Sequence, residues 1–328
     1  MAIRPAELTG IRRRDIISGV FLNRRPAATK EKRSEMFEHL IMTCGELVES
    51  TAGASVWGIL LLAIILVGAA ANVFARRKNP KVAMCQILIL DGDKRGNFSR
   101  IENAIIEAKG KGADLVCFPE AAILGWNNPD AHSGACPIPG PYSDRLCGLA
   151  KKYKAYLCIG IEEKDDDRLY DSAILIDDEG RILLKHRKIE VLPELMTPPY
   201  TPGSDVGAKD TKFGKIGLLI CADTHREDIL DRMKALKPAL LLVPYGYAEQ
   251  GSKWPEHGKE LQSVVKKAAM RSGAIVVGTN AIGRITNGPW AGRVYGGQSV
   301  AADGRGTILA TAGDRDRDIR IVSIKTAK

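Results

Sequence analysis

Residues 82–120 read VAMCQILILDGDKRGNFSRIENAIIEAKGKGADLVCFPE. The nearly continuous apolar run VAMCQILIL predicts a buried strand. FSRIENAIIEAKGKG follows, with Ile101, Ala104, Ile105 and Ala108 at helical spacing and glycine as a stop. ADLVCF predicts a second buried strand, closed by Pro119 and Glu120. Strand, helix, strand is the unit from which helix-covered sheets are built.

The pattern continues towards the C-terminus. DRLCGLAKKYK, DILDRMKAL and KELQSVVKKAAMRS have helical spacing, while AYLCIGIEE, KIGLLI, ALLLVPY and AIVVGTN are short apolar strands. SAILIDDEGRILLKHR and SVAADGRGTILAT each read as two strands joined by an Asp/Gly turn. A loop rich in Gly and Pro spans 125–142. Residues 79–328 therefore predict an α/β fold, a sandwich whose sheets are covered by helices.

The first quarter is different. Residues 55–75, SVWGILLLAIILVGAAANVFA, carry no charge. A helix of that length covers roughly 30 Å, the thickness of a bilayer's hydrocarbon core. The run predicts one N-terminal hydrophobic helix, a transmembrane or signal-anchor segment, and hence a single-pass membrane protein. Val73-Phe74-Ala75 also resembles a signal-peptidase site, so export after cleavage near Ala75 is the alternative. Arg76, Arg77 and Lys78 favour a cytoplasmic catalytic part, and the basic extension 1–54 pulls the other way.

The 328 residues carry a net charge of +9. Residues 1–78 hold twelve basic and seven acidic side chains, so over half of the excess sits there. No basic stripe interleaved with aromatics follows, which argues against nucleic acid as a partner. Seven cysteines without a close CxxC pair, several inside apolar runs, predict buried free thiols rather than a disulfide framework. The five histidines do not join them at ligand spacing, so no metal is expected.

Three polar residues end buried-looking strands: Glu120 after ADLVCFP, Lys188 after RILLKHR and Cys221 after KIGLLI. Ligands of open α/β sheets bind beyond the carboxyl ends of strands, where a base, a cation and a nucleophile could meet.

Taken with their neighbours, these segments resemble the nitrilase superfamily of carbon–nitrogen hydrolases. The matching stretches are Asp114-Leu115-Val116-Cys117-Phe118-Pro119-Glu120, then Arg187-Lys188 downstream of Leu169-Tyr170-Asp171, then Gly217-Leu218-Leu219-Ile220-Cys221-Ala222-Asp223. Gln86, Asn97, Asn280 and Gly297-Gln298-Ser299 are minor landmarks, and the likeness runs from about Lys81 to Ile324. It implies a four-layer α-β-β-α sandwich, self-association and no cofactor. It also implies a Glu120, Lys188, Cys221 catalytic set. Cys221 would attack a small linear amide or N-carbamoyl compound and form a thioester. Glu120 would serve as general base and acid. Lys188 would favour the thiolate and, with the Ala222 N–H, stabilise the oxyanion. Glu194 falls where the family often has a second glutamate.

The chain departs from the family at Ile189-Glu190-Val191, where a His-Leu pair is usual, at Ala222 and at Arg271. The Ala222-Asp223 pair, in place of Trp-Glu, favours an amidase over a nitrilase. Loops 125–142, 190–205 and 245–258 are expected to shape the pocket. Rival readings are a Cys221/His225 dyad, a catalytically inactive binding module on the same fold, and a membrane N-acyltransferase, for which one apolar run is too little. Gly304-Arg305-Gly306 reads as a hairpin turn, because it lacks the Lys-Ser/Thr of a phosphate loop.

Overall fold

A computed structural model describes residues 79–325. The extension 1–54 and the apolar run 55–75 lie outside them, together with the membrane and cleavage readings made there. Among the described residues no helix is long and apolar enough to cross a membrane.

The first half runs β1 (Lys81–Gln86), β2 (Leu88–Ile89), α1 (Lys94–Gly110), β3 (Leu115–Cys117), α2 (Ala131–Gly134), α3 (Pro141–Tyr153), β4 (Tyr156–Asp165), β5 (Arg168–Ile176) and β6 (Ile182–Arg187). The second runs β7 (Gly207–Thr211), β8 (Gly214–Leu218), α4 (Glu227–Ala235), β9 (Leu240–Tyr245), β10 (Ala248–Glu249), α5 (His257–Ser272) and β11 (Ile275–Asn280). It closes with β12 (Ile282–Arg284), β13 (Val294–Gly296), β14 (Val300–Ala302), β15 (Ile308–Thr311) and β16 (Asp318–Ser323).

Two six-stranded sheets result, ordered β16-β1-β3-β4-β5-β6 and β15-β14-β11-β9-β8-β7, with a small sheet β10-β13-β12-β2 beside them. Each large sheet has a parallel centre, β1-β3-β4 and β8-β9-β11, flanked by antiparallel strands. Parallel strands covered on both faces must be apolar throughout, which is why ADLVCF and ALLLVPY read as runs and not as alternations. Val82, Met84, Leu115, Cys117 and Cys158 of the first sheet share one apolar cluster with Leu218, Leu241, Val276 and Val300 of the second. On the first sheet's other side, Ile101, Ile105 and Leu146 from α1 and α3 pack with Ala83, Val116 and Ile159.

The predicted first strand breaks in two. Gln86 is fully buried, and its side chain donates to the carbonyls of Gly313 (2.6 Å) and Asp316 (2.7 Å) while accepting from Ser299 N (2.9 Å). Satisfying that amide ends β1, and the chain continues as β2 in the small sheet, parallel to β12. Helix α1 starts at Lys94, four residues before the predicted Phe98, because Asp93 Oδ1 accepts from Gly96 N at 2.9 Å.

Candidate active site

Glu120 leaves β3 towards the second sheet, its N–H facing Tyr245 O at the end of β9 (3.4 Å). Its Oε1 accepts from Lys188 Nζ and its Oε2 from Gly246 N, so both oxygens are held. Lys188 follows β6 directly. Its N–H donates to Asp171 O at 2.8 Å, and its Nζ reaches Asp171 Oδ2 at 3.2 Å and stands 5.1 Å above the Trp126 ring. Glu120 and Lys188 are each only 2% exposed.

Cys221 opens a 3-10 turn, Cys221–His225, after β8. Its φ is +38°, in the left-handed region that side chains avoid. Such strain costs on the order of 1–3 kcal/mol and persists only where surrounding bonds over-determine it. Here they do. Thr224 Oγ1 donates to Cys221 O (2.7 Å) and pairs with Tyr245 OH (2.8 Å). Asp223, fully buried, accepts from Ile220 N and His186 Nε2 on one oxygen and from Ile189 N and Glu190 N on the other, all within 3.0 Å. One carboxylate thus joins the Cys221 turn to the strand end that carries Lys188.

A cavity of about 310 Å³ opens over these residues. Cys221, Ala222 and Lys188 line it, with Trp126, Trp290 and Tyr247 as its aromatic wall. Trp126 and Trp290 meet edge to face at 5.7 Å, and Tyr247 stacks on His257 at 4.7 Å. The charged lining is paired, Arg226 with Glu190 (2.6 Å) and Arg293 with Glu249 (3.6 Å). The three predicted loops contribute, and Trp290 and Arg293 add a fourth segment, between β12 and β13, that sequence reading missed.

Burial and the Glu120 carboxylate push the Cys221 thiol well above its ordinary value, and the pull of Lys188 does not offset them. Such surroundings favour the neutral thiol of Cys221 over the thiolate. Burial works against the Lys188 ammonium, yet Glu120 and Asp171 outweigh it and hold the group firmly protonated.

The structure brings Glu120, Lys188, Cys221 and Ala222 together. It does not bring Glu194. That residue is exposed in the 3-10 turn Pro193–Leu195 and does not line the cavity, because the loop turns its other glutamate, Glu190, inward. His225 lines the cavity and faces the Tyr247 ring, and no hydrogen bond among the described residues joins it to Cys221. The Cys221/His225 dyad is therefore not formed. Among the described residues no group of three or more His, Cys, Asp or Glu side chains is placed to hold a metal ion. Asp171, Asp223 and Gly246 are contributors that sequence reading left unassigned. An acid inside the apolar strand RLYDSAILI was the available signal for the first.

The sequence profile described as carbon-nitrogen hydrolase matches residues 81–328. A protein named bifunctional nitrilase/nitrile hydratase from Nicotiana tabacum is 34% identical over 168 residues, 45% of this chain and 46% of that one. A namesake from Lupinus angustifolius is 30% identical over 57% of each chain. The chain spans about half the length of these curated relatives. Among solved structures, an amidase from Nesterenkonia sp. shares the fold with a TM-score of 0.66 at 20% identity, covering 76% of this chain and 92% of that one. A mutant of that amidase carries the acetamide moiety of fluoroacetamide added covalently at its active-site cysteine.

Proposed function

This chain belongs to the carbon–nitrogen hydrolase family, within the nitrilase superfamily, and from that premise we propose that it is an amidase acting through Cys221. We read the fold as the α-β-β-α sandwich of that superfamily, and the substrate as a small linear amide or N-carbamoyl compound. The observation that carries the reading is the buried Glu120–Lys188 pair beside a strained cysteine on a cavity wall.

In this reading Sγ of Cys221 attacks the amide carbon while Glu120 takes the thiol proton. Lys188 Nζ and the Ala222 N–H stabilise the oxyanion, a term of about 3 kcal/mol per donor. Collapse breaks the C–N bond, and Glu120 returns its proton to the departing ammonia or amine. Water then attacks the thioester with its proton passing to Glu120. The acid product leaves, and the proton returns to sulfur. Because Glu120 is fixed by Lys188 and Gly246 N, it is positioned for both half-reactions without moving.

The aromatic wall suits a substrate with a compact apolar group beside its amide. A second reading, nitrile hydrolysis, is favoured by the names of the relatives at 34% identity. Ammonia release by the full chain from linear amides, N-carbamoyl compounds and nitriles separates the two. Turnover of amides but not nitriles supports the amidase reading, and the reverse replaces it. An inactive binding module would release ammonia from none of them.

We further read residues 55–75, outside the described residues, as a membrane-inserted segment, with cleavage near Ala75 as the alternative. Membrane sedimentation and N-terminal sequencing of the expressed protein distinguish these. Self-association is read from family likeness and is checked by light scattering.

A further inference from the structure

The amide hydrolysis proposed above needs one ammonium, Lys188, to serve a buried site that holds two acids. Asp171 is the second. It lies on β5 directly across from Glu162 of β4, and its backbone carbonyl accepts the Lys188 N–H, so strand pairing fixes its place. The side chain is fully buried; Oδ2 meets Lys188 Nζ at 3.2 Å, and Oδ1 is buried without a partner. The Glu120 carboxyl accepts from the same Lys188 Nζ.

The charge count is the difficulty. With both acids ionised, the cluster would be −1 before the thiol reacts and −2 once the thiol gives up its proton to solvent. No other cation bonds Glu120 or Asp171 among the described residues, and Arg226 and Arg293 at the cavity are paired with Glu190 and Glu249. A buried site does not sustain such an excess, and acids placed this closely keep a proton between them.

We propose that Asp171 is a positioning residue that carries a proton in the working enzyme, holding the Lys188 ammonium without adding a second negative charge beside Cys221. The proposal rests on Cys221 being the nucleophile. The resting Glu120–Asp171 pair then holds one proton; attack transfers the thiol proton to Glu120, and the pair holds two. The cluster's net charge is unchanged as the thiolate forms, because the proton moves within it. Apparent titration values belong to the pair and not to either acid.

The surroundings agree. Glu120 comes from the loop after β3, Glu162 from β4, Lys188 from the end of β6, and the Tyr200 phenol from the segment before β7. Burial pushes Glu162 up to about 8 and the Tyr200 phenol higher still, so neither supplies a charge at neutral pH. Burial and the charge of Glu120 drive Asp171 well above the carboxylate range, against the pull of Lys188.

The test uses the full chain. The rate of Cys221 alkylation by iodoacetamide is followed against pH, beside kcat and KM. Asp171→Asn removes the proton-bearing acid but keeps its shape and neutrality. Its alkylation midpoint is expected to stay with the wild type, because no negative charge is lost. Asp171→Ala leaves the lysine held by Glu120 alone, and kcat is expected to fall about 100-fold with KM little changed. A fall of about one pH unit or more in the Asn variant's midpoint would mean that a negative charge had been removed, and overturns the proposal. A wild-type Cys221 that neither alkylates nor supports turnover defeats the function reading instead.

Infrared spectroscopy covers the case in which Asp171 variants do not fold. Glu162→Gln is expected to retain protonated-carboxyl absorption at neutral pH, from Asp171. Loss of all such absorption in Glu162→Gln overturns the proposal.

Discussion

His186 Nε2 lies 2.8 Å from Asp223 Oδ2, and both side chains are buried. The pair crosses from β6, two residues before Lys188, to the turn that opens with Cys221. Lys188 and Cys221 therefore share one brace, and the first predictions concern it.

Asp223→Ala would leave His186 Nε2 and the Ile189, Glu190 and Ile220 amides without their acceptor. Removing one partner of a buried network costs about 3–5 kcal/mol. Urea denaturation is expected to show a loss of that size, and kcat to fall about 100-fold as the turn and the lysine drift apart. A variant with unchanged stability would contradict the bracing role.

The same carboxylate sets an acid limit. Burial pushes Asp223 up, but hydrogen bonds from His186 and the amides outweigh it and hold the group below the ordinary carboxylate range. A depressed folded value means that the stability it contributes is complete above the unfolded value of about 3.9 and is lost as pH falls through the folded one. Denaturation midpoints are expected to drop more steeply below about pH 4 in the wild type than in Asp223→Asn. Equal slopes in the two proteins would count against this assignment.

Gly160 permits the close approach of β4 to Glu120. A Cβ there would stand 2.5 Å from Glu120 Cα and 2.9 Å from Ala121 N, both backbone atoms that cannot swing aside. Gly160→Ala is expected to displace Glu120 and lower kcat about 100-fold. Gly110→Ala, where an added Cβ meets nothing within 4 Å, serves as the control and should keep full activity.

The aromatic wall separates binding from chemistry. Trp290 meets the edge of Trp126, whereas the Lys188 ammonium stands over Trp126, so Trp290→Ala is expected to raise KM about tenfold with kcat nearly unchanged. Trp126 also lies beneath the Lys188 ammonium, and Trp126→Ala should lower kcat as well. Identical kinetic losses in both variants would refute that division.

The strands and helices were readable because buried parallel strands must be apolar and the helices carry one apolar face. Glu120, Lys188 and Cys221 were readable because a polar residue ending an apolar run stands out. What pairs with them was not. Asp171 and Asp223 meet Lys188 and His186 only through sheet register and a turn from the other sheet, which one chain's periodicity does not reveal. Glu194 and Glu190 are four residues apart, and only the course of the loop decides which faces the cavity. The thiol's protonation likewise depends on burial and on the placement of Glu120, not on the mere presence of a lysine.

The central claim is that Cys221 forms the covalent intermediate. Intact-mass and peptide mass spectrometry of the full chain, quenched during turnover of an amide that it hydrolyses, tests this most directly. The account predicts an acyl mass on the peptide containing Cys221, and neither adduct nor ammonia release in Cys221→Ala. Ammonia release that survives in Cys221→Ala, or an adduct on a different residue, would contradict it.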